Sequence, residues 1–90
     1  MKFIVKWNLS KSTVVATEKR FLEAGAPPPA GVKMIGRWHG LSGGGVLIAE
    51  TNDAKALYAW LGYWNDLLEF ETTPCLEDAE AGEVLASIKR

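Results

Sequence analysis

The chain has 90 residues, 48% of them hydrophobic and 23% charged, with a formal net charge of −1. That length supports one domain with one modest core, and its balanced, scattered charge gives no electrostatic drive toward nucleic acid or anionic lipid. A single cysteine, Cys75, excludes an intrachain disulfide and favours a reducing, cytoplasmic compartment.

The segment from Lys2 to Leu9 alternates. Phe3, Val5, Trp7 and Leu9 share one face, and Lys2, Ile4, Lys6 and Asn8 the other. A period of two predicts a strand rather than a signal peptide. No apolar run approaches the roughly 18 residues of a membrane helix, so no membrane partner is expected. A helix is predicted next, capped by Ser10 or Ser12, with Val14, Phe21 and Leu22 in its stripe and Gly25 as its stop. The triple proline at 27–29 then enforces extended chain and reads as a stiff connector, with a PxxP ligand as the alternative.

A second strand is predicted over 31–39. Strict alternation puts Val32, Met34 and Trp38 on the core side, and Lys33, Ile35, Arg37 and His39 on the opposite side. The glycine-rich segment 40–45 leads into a third strand, "VLIAE". A phosphate-binding glycine loop would need a helix there, so the segment reads as a hairpin. Asn52 or Asp53 can cap a second helix, in which Leu57, Trp60, Leu61 and Trp64 form the clearest periodic face of the chain. Segment 67–74 alternates as a fourth strand ended by Pro74. Ala81, Val84, Leu85 and Ile88 then space a third helix, acidic at its start and basic at its end.

The order β-α-β-β-α-β plus a terminal helix defines an α+β class. It is the ferredoxin-like split βαβ arrangement, an antiparallel sheet in the order 4-1-3-2 with both crossover helices on one face. The face away from the helices would then mix isoleucines with Lys6, Asn8, Arg37, His39, Glu50, Glu69 and Glu71. Three readings fit such a face. It can be a network of cross-strand ion pairs, Lys6 with Glu50, Glu69 or Glu71 and Arg37 with Glu50. It can be a ligand site in which Arg37 holds an anionic or carbonyl oxygen and His39 moves a proton. It can also be a protein interface.

The lone histidine lacks a second ligand at metal spacing, so no metal site is expected. Nothing beside Cys75 would activate its thiol, and no nucleophile–base constellation is legible. Trp60 and Trp64 read first as core and second as walls for an aromatic ligand. Stacking on single-stranded nucleic acid would need a basic groove that the sequence does not supply.

Four blocks carry a family likeness: "MKFIVKW", "RFLEAGAPPPAGVKMIGRWHG", "ALYAW" and "WNDLLEFETTP". Together they resemble a family of small bacterial and phage proteins known only as a domain of unknown function. More broadly, the chain is similar to the dimeric α/β barrel superfamily of ferredoxin-like proteins. That resemblance implies a homodimer joined by its two sheets. It also implies a ligand pocket between sheet and helices, here lined by Trp7, Trp38, Trp60, Trp64 and Tyr58. It supplies no cofactor: a lone His39 is not a haem ligand set. The expectation is a cytoplasmic homodimer binding or converting a small aromatic or anionic metabolite. Arg37 and His39 would be its polar actors, with Lys6, Asn8 and Glu50 nearby. A non-catalytic interaction module is the alternative.

Overall fold

A computed structural model describes all residues, 1–90. The elements run β1 (Lys2–Asn8), α1 (Val14–Ala24), β2 (Lys33–His39), β3 (Gly44–Glu50), α2 (Ala54–Trp64), β4 (Glu69–Cys75) and α3 (Asp78–Ser87). The four strands form one antiparallel sheet in the order β2-β3-β1-β4, the predicted order read from its other edge. Pro74 lies inside β4 rather than at its end. It is tolerated because β4 is an edge strand, where a missing N–H need not break a ladder bond. No helix is long and apolar enough to cross a membrane.

The core forms where the alternating faces of β1 and β3 meet α2. Val5, Trp7, Leu47 and Ala49 from the sheet are buried against Leu57 and Trp60 of the helix, with Val32 closing one end. Asp53 caps α2: its carboxylate accepts the Ala56 N–H at 3.1 Å. Thr51 fixes the approach to that helix, donating to the Gly31 carbonyl at 2.6 Å and accepting the Asp53 N–H at 2.9 Å.

One strand departs from strict alternation. Met34 pairs with Ala49 and Gly36 with Ile48, so Ile35 is an extra residue on β2. This β-bulge reverses the faces of everything after it. Arg37 lies opposite buried Leu47, and His39 opposite Gly45 in the same row as Trp7, so both belong to the helix-covered face. Trp38, opposite Val46, belongs to the outer face and is 58% exposed. The alternation read from sequence is thus corrected at Arg37, Trp38 and His39.

Two further expectations change on α1. Neither Ser10 nor Ser12 caps it. Thr13 occupies that position without a capping bond from its side chain, and the Ser10 carbonyl accepts the Thr13 and Val14 N–H groups. The inward face carries Thr17 and Phe21, whereas Val15 and Leu22 point to solvent. Gly25 does end the helix, at φ +66°, donating its N–H to the Phe21 carbonyl. α3 forms with the predicted acidic first turn, but it ends at Ser87, before Lys89 and Arg90, so its last turn carries no basic residue, and it buries no side chain. Val84, Leu85 and Ile88 are all exposed, and its start is tied to the sheet by the Lys2–Glu77 ion pair.

α1 is anchored to the end of α2 by Arg20. Its guanidinium makes two bonds to the Asp66 carboxylate, at 2.9 and 2.7 Å, and a third to the Tyr63 carbonyl at 3.1 Å. It also lies 5.3 Å from the ring centres of Tyr63 and Trp64. The Arg20 hydrogen bonds hold the Asp66 carboxyl below the usual aspartate pKa. The unfolded chain therefore takes up this proton first as pH falls. The anchor contributes fully above the ordinary value of about 3.9 and is lost as pH drops through the depressed folded value. Thermal unfolding of wild type and Asp66→Asn from pH 7 to pH 2 should show wild type more stable at neutral pH and the two curves converging in acid. A constant gap would show that Arg20 does not act through the Asp66 charge.

Candidate functional site

Between α1 and the helix-covered face of the sheet lies an open cleft of about 690 Å³. Its floor is set by a glycine. Gly45 sits in the cross-strand row between Trp7 and His39, and a Cβ there would fall 2.1 Å from Trp7 Cζ2. Because position 45 has no side chain, the Trp7 indole lies over the central strand and meets the His39 ring edge-on, with centroids 5.6 Å apart. Phe21 comes down from α1 onto the same imidazole at 5.1 Å. Trp60, Leu61 and Trp64 of α2 form one wall, and Leu68 and Phe70 another.

Four polar side chains interrupt this apolar lining: Arg37, His39, Thr17 and the exposed Glu18. Arg37 is half-buried and stacks on Phe21, its Cζ 5.2 Å from the ring centre. One nitrogen, Nη1, donates to the Ala26 carbonyl at 2.7 Å, on the connector stiffened by the three prolines. The rest of the guanidinium has no protein acceptor, and Arg37 makes no ion pair. Burial pulls its pKa below the ordinary arginine value, and no neighbouring carboxylate opposes that shift. His39 stands at the exposed rim. Thr17 lines the cleft from α1. It is 8% exposed, and its buried Oγ1 has no hydrogen-bond partner.

The cleft thus brings together Arg37, His39, Trp7, Trp60 and Trp64, and adds Phe21 and Thr17 to them. Trp38, Lys6, Asn8 and Glu50 lie outside it, as does the exposed Tyr58. The register places Lys6 opposite Glu71, Asn8 opposite Glu69, and Glu50 between Lys2 and Lys33. The expected Arg37–Glu50 pair does not form, because the bulge puts the two side chains on opposite faces. No group of three or more His, Cys, Asp or Glu side chains is placed to hold a metal ion. Phe21 was legible from its helical spacing. Thr17 was missed because it is polar, although it stands three residues after Val14 and four before Phe21, the spacing of the same helical stripe.

A four-stranded antiparallel sheet in this order, with two crossover helices on one face, defines a ferredoxin-like α+β domain. Sequence comparison places the chain further. It belongs to the family described as Domain of unknown function (DUF3303), which matches residues 1–89. No curated protein matches it.

Proposed function

We propose that this protein is a small-molecule-binding domain that works as a homodimer, its cleft holding a small aromatic or anionic metabolite. The observation that supports the reading is the cleft itself. In a chain with only 10 buried residues, about 690 Å³ between helix and sheet is left open and walled by aromatic side chains. A volume of this order is that of ligand sites. Arg37 and His39 are its charged and proton-exchanging contacts; Trp7, Trp60 and Trp64 are its walls. If the ligand is converted as well as held, His39 carries the proton, and His39→Ala should then remove turnover while leaving affinity.

The test is thermal unfolding against a metabolite library. A ligand that binds only the folded state adds about 2.7 kcal/mol at a hundredfold excess over Kd. A domain of this size turns that into a Tm rise of roughly 10 °C or more. A library rich in aromatic acids that leaves Tm unchanged would remove the binding reading. It would favour the second reading, a non-catalytic interaction module, which rests on the exposed Ile35 and Trp38 of the outer sheet face.

A further inference from the structure

We infer that the cleft selects one chemical class, an aromatic or other apolar monocarboxylate, with Arg37 gripping the carboxylate and the apolar body lying against Trp7, Trp64 and Phe70. The inference rests on the reading of the cleft as a binding site and narrows what that site accepts.

Three observations carry it. The first is the state of Arg37. A guanidinium in an apolar cleft normally stands against a carboxylate, because its planar fork matches two oxygens at once. Here the protein supplies one carbonyl, a stacking ring and no acid. Its free nitrogens face an open cleft, where a ligand carboxylate can displace solvent and complete the shell. The second is Thr17. A buried hydroxyl left without a partner costs free energy that a ligand oxygen would recover. On a helix threonine has two accessible χ1 wells, so this hydroxyl can turn toward the cleft without backbone movement.

The third is the charge and character of the lining. Glu18 is its only carboxylate and Arg37 its only guanidinium, and there is no lysine. One guanidinium, with an exposed Glu18 that makes no ion pair to it, suits a monoanion and disfavours a phosphate ester or dicarboxylate, whose second charge would remain unpaired. The remaining walls are chiefly leucines and aromatic rings, which offer a sugar or nucleotide too few hydrogen-bond partners. Rings at edge and offset geometries favour an aromatic or branched apolar body.

The experiment is calorimetric titration with matched pairs: 1-naphthylacetate, indole-3-propionate and 4-phenylbutyrate, each against its neutral amide. Wild type should bind at least one acid ten-fold or more tightly than its amide. Arg37→Gln should abolish that preference, Arg37→Lys should keep part of it, and Thr17→Val should weaken the acid a further few-fold. Amides that bind as well as their acids would overturn the inference while leaving the cleft as an apolar binding site. So would a preference that survives in Arg37→Gln. The acid–amide comparison is made on wild type, so it stands even where a variant fails to fold. Absence of binding by every acid and every amide would overturn the cleft reading as well.

Discussion

Gly45→Ala should lower the free energy of unfolding by about 3 kcal/mol, the upper end of the range for overpacking a filled site. For a domain of this size that corresponds to a Tm fall on the order of 12–24 °C. A Cβ at position 45 would lie 2.1 and 2.6 Å from two carbons of the Trp7 ring and 2.5 Å from the Trp38 carbonyl oxygen. The carbonyl belongs to a paired strand and cannot move without breaking the β2–β3 ladder. Relief must come from Trp7, a buried member of the core that also floors the cleft. The variant should therefore lose stability and cleft geometry together. Urea unfolding with an unchanged m-value would establish the loss as one of native packing. Gly62→Ala is the internal control. A Cβ there meets nothing within 4 Å at an exposed position of α2, so the exchange should be neutral or stabilising by up to about 1 kcal/mol. Equal stability of Gly45→Ala and wild type would mean that Trp7 does not lie over the central strand.

The same row shows where the sequence was legible and where it was not. Element order, strand order and the α2 face follow from periodicity, because Leu57, Trp60 and Trp64 repeat with the helix and Phe3, Val5 and Trp7 with the pleat. The placement of Arg37 and His39 does not follow. A single inserted residue reverses side-chain parity, and no alternation count detects it when both faces carry apolar side chains. The local sign is Gly36 inside a strand, a position that favours a bulge or a close contact. Here it accompanies both. Ile35 is the extra residue, and a Cβ at 36 would fall 2.5 Å from the Trp38 ring, which folds back over it. The cleft was illegible for a related reason. Periodicity says which face of α1 points inward but not how closely the helix approaches. Arg20 on Asp66 and Arg37 on Ala26 hold the C-terminal half of α1 and the connector after it by side-chain bonds to distant segments.

The proposed homodimer makes the outer sheet face the second place where one substitution should have a large effect. Trp38 and Ile35 are 58% and 49% exposed there, beside the half-buried Ile4, Val46 and Ile48. α3 adds exposed Val84, Leu85 and Ile88, and the chain's radius of gyration of 15.2 Å exceeds the roughly 12 Å of a compact domain this long. A second copy laid on this face would cover the apolar strands and give α3 a surface to pack on. Its centre would be Trp38, a residue type that often dominates interface energy. Trp38→Glu should then cost 2 kcal/mol or more of association, about thirty-fold in dimer Kd. Because Trp38 also covers Gly36 within one chain, Ile35→Lys serves as a second variant that spares that contact. Light scattering over a wide concentration range should show wild type as a dimer and both variants shifted toward monomer. Trp38 lies outside the cleft, so arylalkanoate affinity should be retained in the dissociated variants. A wild-type protein that is monomeric at every concentration would leave this face to water and remove the dimer from the proposal. The cleft is built wholly from one chain, so its own test would be unaffected.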